Sequence, residues 1–440
     1  MAARVLCLMA LLSSTVAHDK PRQPPAGGGT PIEGSSPAAS AADGVPAARF
    51  GLSPANTPAQ NLTAMTKAFA AADSPKIRFA PGVYRLACGA FRAASAISLI
   101  GAGKTATTLQ FEKGCQFNGD IFLWNSKSDV AVTDLTIDFN TPATPNKRIN
   151  GLAFHAYSGD TDGLTIRNMR AINATSPVLV IAAAAAGGHR YTNIAITHNY
   201  VTLAEAAPTQ NQCIALTTVN GAGKIPHAVV SYNICINTGI QVDGDYTQVV
   251  GNDISKFRFG TAIFAAFRSG KGITGETATN RFCRIEGNVM HDSPAGLDVN
   301  NVAAGGLENS CYQSVVKNNR AYNLGGAGFF NFAAGTSYID NLAWNNGKQG
   351  PVGANSHLNQ GGFALEDNFT ESPAYSSQDV TLTGNKAWDD GAGTQRFGYV
   401  EFSDRVLHVT LKDNDFARSP VPLMPSPHGS MVAASPPQKK

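Results

Sequence analysis

Charged side chains are scarce: Asp, Glu, Lys and Arg make up 15% of the 440 residues, and the net charge at pH 7 is +3. No clustered basic stripe is present, so composition gives no reason to expect nucleic-acid binding. No run after the first seventeen residues is long and apolar enough to cross a bilayer, and residues 5–12 are too short to do so. No CxxC pair or His/Cys cluster occurs, which argues against a structural zinc site. What the sequence has in abundance is glycine, 44 residues, with many Asn and Thr and a hydrophobic content of 43%. That combination suits a β-rich protein with one large core and frequent tight turns.

Residues 1–17 read as an export signal, with Arg4 before the apolar run and small residues at 13–17. The expected location is secreted or periplasmic, an oxidising compartment where cysteines can pair. After Cys7, six remain: Cys88 and Cys115, Cys213 and Cys235, Cys283 and Cys311. Neighbours in each pair lie about one repeat of the pattern below apart, so adjacent coils would bring them together. Buried free thiols are the competing reading. Residues 18–47 are rich in Pro, Gly, Ser and Ala and are expected to be a flexible linker. Residues 419–440 have the same character and are expected to be a disordered tail. The folded part is therefore set at 48–418.

A helix is expected from Thr57. Thr57, Pro58 and Gln60 supply an N-cap, a first-turn proline and a capping-box partner, with Leu62, Met65, Phe69 and Ala72 on one face. An imperfect repeat follows, in which a short strand, an Asn and another short strand recur, as in "AITHNYVTL", "VVSYNICIN" and "RIEGNVMHD". Asp134 opens the series and Asn168, Asn199, Asn233, Asn252, Asn288, Asn319, Asn341, Asn385 and Asn414 continue it, at spacings between 19 and 44 residues. Asn tolerates left-handed backbone angles and its amide bonds neighbouring backbone, so stacked coils would form an amide ladder. A β-propeller would need a more regular period near about 40 residues. The expected fold is all-β: a single-stranded right-handed parallel β-helix of about ten coils with an N-terminal capping helix.

The order of helix, "RFAPGVY" and a strand ending in "GAG" resembles the start of the pectate-lyase-like superfamily, where the helix covers the open end of the coil. The segment from Val315 to Gly347 is similar to the repeats of secreted polysaccharide lyases. The resemblance covers about residues 48–416. It implies a secreted enzyme acting on a polysaccharide, with a groove over one sheet. The sequence lacks the paired "GDD" and "RIK" of polygalacturonases, the "WIDH" and "RxPxxR" of common pectate lyases and the "DPHD" of mannuronan epimerases. No catalytic residue is therefore carried over.

Candidate site residues come from strand alternation. The strands "GLAFHA", "GIQVDGD", "GTAIFAAF", "GLDVN", "GFFNF", "GFALED" and "GYVEF", often opened by Gly, are expected to form the groove sheet. Alternation turns His155, Gln241, Asp243, Asp298, Asn300 and Glu366 outward. Long connections at 268–282, 301–313, 347–361 and 367–378 frame the stretch from Arg268 to Glu366. Two chemistries are open. In the first, a base removes the proton beside a uronate carboxylate, with catalytic candidates Asp298, Glu366, Arg268, Lys271 and His291. In the second, Asp298 and Glu366, two coils and roughly 9–10 Å apart, invert a glycosidic bond, near the upper end of the separation of about 6.5–9.5 Å that this needs. His155, Asn300, Asn331, Lys348 and His357 are substrate-binding candidates. Asp243 and Asp245 are candidate ligands for calcium, the one cofactor considered. The partner is a polysaccharide, with no nucleic acid and no membrane. Cleavage by β-elimination is the first reading, because basic groups surround the expected groove, and a non-catalytic glycan-binding β-helix is the alternative outside enzymes.

Overall fold

The computed structural model describes residues 44–432, apart from 118, 141–148, 175–177, 205–211, 219–223, 259, 266–279, 297–302, 351–357, 367–376, 404 and 427–429. The described strands form three sheets in which every pairing is parallel; apart from Val45–Pro46, which pairs with the next strand, Lys76–Arg78, each strand bonds to the one three places on in the chain. Sheet A has 14 strands, from Val45–Pro46 to Ser430–Val432. Sheet B has 12, from Gly82–Leu86 to Asp415–Arg418, and sheet C has 12, from Phe91–Arg92 to Val421–Met424. The chain is a right-handed parallel β-helix, the hand that parallel crossovers take. Twelve strands in sheets B and C mean about twelve coils, not about ten.

The helix Pro58–Phe69 covers the N-terminal end, where bare strand edges would otherwise face water. Thr57 and Gln60 form the expected capping box. Phe69 packs against the rings of Phe91, Phe122 and Trp124 at 5.4–5.8 Å. Ala72 lies beyond the helix and is exposed; Asn61, Ala64 and Ala68 complete the buried face instead. Asn61 is wholly buried, and its amide holds both the Ser53 backbone and the Arg85 carbonyl.

The amide ladder runs from Asn199 through Asn233, Asn252, Asn288, Asn319, Asn341 and Asn385 to Asn414. From Asn233 on, each Oδ1 accepts both the Nδ2–H and the backbone N–H of the Asn one coil earlier, at 2.9–3.1 Å. Each Nδ2 also donates to a main-chain carbonyl, as Asn288 does to Val249 at 2.9 Å. Asn168 and Asp134 are not members. They stand one residue earlier, where the backbone is left-handed at φ 51° and 58°, and bond each other at 2.6 Å. Leu135 and Met169 fill the ladder place there. The series undercounts the coils because it opens at the third strand of sheet B, Thr136–Asp138, and no Asn stands just before Gly82–Leu86 or Thr107–Phe111. The left-handed residue in later coils is likewise the one before the ladder Asn, such as His198, Tyr232 and Gly251. The ladder selects Asn for its two-sided amide, not for a left-handed backbone.

The glycines that open sheet C strands have a packing cause. Ala321, Ala343 and Ala387 form a column inside sheet B. A Cβ on Gly362 would lie 2.7 Å from that of Ala387, and one on Gly398 would lie 2.6 Å from that of Phe416. Sheets B and C therefore meet closely where the sheet C position carries no side chain. Three disulfides, Cys88–Cys115, Cys213–Cys235 and Cys283–Cys311, pair the cysteines in sequence order. Strands also continue past residue 418, into the segment expected to be disordered, because Val421 and Leu423 pair with Phe397 and Tyr399. Pro422 is tolerated on this last strand, where its missing N–H removes no ladder bond.

Asn288→Ala is expected to lower unfolding free energy by about 3 kcal/mol, because it strands two Asn252 N–H groups in the interior and removes the Nδ2 bonds to the Val249 carbonyl and the Asn319 Oδ1. Asn168→Ala, outside the ladder, should cost about 1 kcal/mol or less. Denaturant unfolding of both variants checks the difference.

Candidate functional site

The outer face of sheet C is built of two columns. The first runs across strands Gly239–Val242, Thr261–Ala265, Gly305–Asn309, Phe329–Asn331, Gly361–Leu365 and Phe397–Glu401, as Gln241, Phe264, Glu308, Phe330, Ala364 and Val400. The second lies two residues further along each strand and carries Asp243, Ser310, Phe332, Glu366 and Phe402. Backbone bonds fix its register: Ser310 N–H to the Ala265 carbonyl, Phe332 to Asn309, Glu366 to Asn331 and Phe402 to Leu365, all at 2.8–3.0 Å. Much of this face is covered: Ala153, Ala215, Ala364 and Val400 are fully buried. Gln241, Phe264, Glu308 and Phe332 keep partial exposure, so the accessible stretch centres on Glu308.

Glu308 is the outward residue of strand Gly305–Asn309, with Phe264 on one side and Phe330 on the other. Phe330 belongs to an apolar cluster on this outer face with Ala327, Ala364, Phe397 and Val400, against which Phe332 and Phe402 pack. Burial in these surroundings disfavours the charged form and pushes the Glu308 carboxyl up to about 7 from its ordinary 4.5. Among the described residues it has no hydrogen-bond partner. A carboxyl that changes charge near neutral pH can give or take a proton in catalysis.

Asp243 and Glu366 stand in the second column, two strands from Glu308 on either side. Both are buried, at 5% exposure. Asp243 accepts the Thr218 N–H at 3.3 Å. By strand spacing and rise, each has its Cα about 12 Å from that of Glu308.

Several expected site residues lie elsewhere. Asn331 is turned inward and is 1% exposed; it bonds Asn309, Ser377 and the Tyr338 hydroxyl, so it holds the coil and does not face a groove. His155 does face outward on sheet C, stacked on Tyr157 at 4.2 Å, but five strands and about 24 Å from Glu308. Burial lowers its proton affinity against the opposing pull of Asp120. His291 is on sheet B, between Asp253 at 2.9 Å and Asp292 at 2.8 Å. Partial burial would raise the Asp292 carboxyl, but bonds from His291 and Asn323 and the charges of His291 and Lys348 outweigh it and hold it below the usual range. Lys348 thus sits by Asp292, on the sheet B side. His291 also starts an outer stack with Tyr322, Trp344 and Trp388, at 5.1, 4.3 and 5.0 Å, which Arg418 closes. Within the stack ring faces are taken by neighbouring rings, so it braces coils and offers sugars mainly edges.

Asp298, Asn300, Arg268, Lys271 and His357 lie outside the described residues. The segment "GLDVN", expected to supply the sheet C strand of its coil, lies almost wholly outside the described residues; the described strand that pairs with Thr261–Ala265 is Gly305–Asn309, whose outward carboxyl is Glu308. A signal for this was present: "GGLENS" places Asn309 in register with Asn331, as "GFFNF" does one coil on. For calcium, the described residues do not assemble a cage. Asp243 accepts the Thr218 N–H, Asp245 accepts the Arg281 N–H at 2.9 Å, and no group of three His, Cys, Asp or Glu is gathered among the described residues.

No family model and no curated protein matches the chain. Solved structures do. The A-module of a mannuronan C-5 epimerase of Azotobacter vinelandii aligns with a TM-score of 0.64 at 15% identity, over 89% of this chain and 100% of that one. A second such module aligns at 0.56 and 15%, over 88% and 100%. A surface adhesin of Streptococcus pneumoniae aligns at 0.52 and 11%, over 89% and 93%. At these identities the likeness is one of fold, and it places the chain among right-handed parallel β-helix proteins.

Because the folded protein holds the Glu308 proton more tightly than the unfolded chain does, its contribution to stability is complete below about pH 4.5 and is lost as pH rises through about 7. Glu308→Gln, which cannot ionise, should therefore melt about 2 °C higher than the wild type above about pH 8 and nearly with it at about pH 4. Melting curves across that range check this, and equal melting throughout would deny the carboxyl its raised proton affinity.

Proposed function

We propose that this chain is a polysaccharide-modifying enzyme whose substrate lies along the outer face of sheet C, with Glu308 as the proton-transfer group. The observation that carries the reading is the Glu308 carboxyl, half-buried between Phe264 and Phe330 at the accessible stretch of that face, with a proton affinity near neutral. Two of the similar structures are named for action on mannuronan, a uronate polymer, which supports a glycan as partner.

The first chemistry is β-elimination. Glu308 in its charged form removes the ring proton beside a uronate carboxylate. The freed electron pair forms a carbon–carbon double bond as the neighbouring glycosidic C–O bond breaks, and the departing oxygen takes up a proton. Raised proton affinity makes Glu308 a stronger base than an ordinary carboxylate. Arg268 and Lys271 belong to the connection that leaves the Phe264 strand, and are the proposed partners for the uronate charge. Hydrolysis is the second reading, favoured by the carboxyl row Asp243, Glu308 and Glu366, with Glu308 as general acid. Its Cα spacing of about 12 Å is long against the carboxyl separation of about 6.5–9.5 Å for inversion. Calcium remains a proposal without a described cage. Export to an oxidising compartment is proposed from residues 1–17, and three disulfides support it.

Incubation of the protein with acidic and neutral polysaccharides, with and without chelator, tests the reading. Elimination yields ultraviolet-absorbing unsaturated ends, at a rate that rises with pH through about 7. Hydrolysis yields reducing ends without that absorbance, at a rate that falls above about 7, since the acid must be protonated. Glu308→Gln should lower kcat by about 100-fold or more. Binding without new chain ends would overturn both enzyme readings and leave a glycan-binding β-helix.

A further inference from the structure

We propose that Gln241 and Phe264 form a sugar-binding subsite on the N-terminal side of Glu308, in which Phe264 carries the apolar C–H surface of a glycan unit and the Gln241 amide hydrogen-bonds its hydroxyls. This rests on the outer face of sheet C being the glycan site. Ile240 and Val242 are buried in the core, and so are Ile263 and Ala265. Alternation therefore turns Gln241 and Phe264 outward. Strand register sets Gln241 beside Phe264 and Phe264 beside Glu308, one residue per coil. Adjacent Cα atoms are about 4.8 Å apart, so the row from Gln241 to Glu308 spans about 10 Å.

All three side chains keep accessible surface. The rest of their column, among the described residues, is closed. Ala153, Ala182 and Ala215 precede Gln241 and are at most 6% exposed. Phe330, Ala364 and Val400 follow Glu308 and are at most 8% exposed. The open stretch of the column is thus three coils long, with the acid at its C-terminal end. A glycan unit next to the one at Glu308 finds side chains to touch in this column only on the Phe264 and Gln241 side. What these two residues lack within the fold supports the assignment. Phe330 and Phe332 pack in the outer apolar cluster, whereas Phe264 belongs to no apolar cluster. Among the described residues its ring meets no other ring, and the Gln241 amide makes no hydrogen bond. Covering a partly exposed ring with apolar surface is favourable, and the C–H face of a sugar supplies such a surface. An amide carries two donors and an acceptor, which suits neighbouring hydroxyls of one sugar.

Calorimetric binding of soluble oligosaccharides of mannuronate, galacturonate and cellulose to the full chain carrying Glu308→Gln tests this. Position 308 does not ionise in that background, so a substitution beside it cannot act through its charge. For the probe that binds, adding Gln241→Met should weaken affinity about fivefold, since it keeps the length of the side chain and removes one hydrogen bond. The same variant should melt with its parent; a lower melting temperature would show that the fold itself uses the amide, and would overturn its assignment. Adding Phe264→Ala should weaken affinity about tenfold through lost apolar contact. Phe264→Tyr, which keeps the ring, should bind as the parent does, and an equal loss with Tyr and Ala would overturn the role of the ring. Unchanged affinity in Gln241→Met or in Phe264→Ala would overturn the subsite and leave the glycan face standing. Failure of Glu308→Gln to bind any of the three probes would overturn the face as a glycan site, and the subsite with it.

Discussion

Every amide in the ladder must satisfy two donors and one acceptor where water cannot reach, and only the next coil can do so. Asn288 cannot be satisfied unless Asn252 and Asn319 sit directly before and after it. The spacing of coils along the axis is thus fixed from within, whatever lies between ladder positions. This frees the connections to vary: 19 residues separate Asn233 from Asn252, and 44 separate Asn341 from Asn385. Sheet C inherits a rigid register from this, which is what lets single residues of distant segments stand in columns on its outer face.

The same frame explains why Glu308 is unusual. Outer positions on a β-helix are normally solvated, and a solvated carboxylate keeps its ordinary proton affinity. Phe264 and Phe330 arrive beside Glu308 because strand registers place one residue per coil in the column. Neither ring is near it in sequence. The desolvation that moves its proton affinity to about 7 is a product of stacking, not of local sequence. Inside the coil, by contrast, Asn309 and Asn331 satisfy each other and carry no chemistry.

The scaffold was legible from the sequence because its cause is repetitive: an Asn with β-branched neighbours recurs coil after coil. The capping helix and the order of the disulfides were legible too, from the Thr57–Gln60 box and from cysteine spacing. The first two coils were not, since no Asn stands just before their sheet B strands, Gly82–Leu86 and Thr107–Phe111. The site was legible only in part. Alternation turned Asp243 and Glu366 to the outer side of sheet C, but Gly305–Asn309 was not read as a strand, and so Glu308 was missed. His291 and Lys348 were drawn to the groove by their position in the sequence, although the strand Val289–His291 belongs to sheet B. One-dimensional proximity does not say which of three sheets a residue faces.

Proton transfer on the outer face of sheet C turns on one ionisation, that of Glu308. Protein labelled with carbon-13 at the glutamate carboxyl carbons can be titrated by NMR, with the Glu308 resonance identified by its absence from Glu308→Gln. A midpoint near about 7 is the predicted result, and a midpoint near 4.5 would contradict the claim that Glu308 is poised for proton transfer.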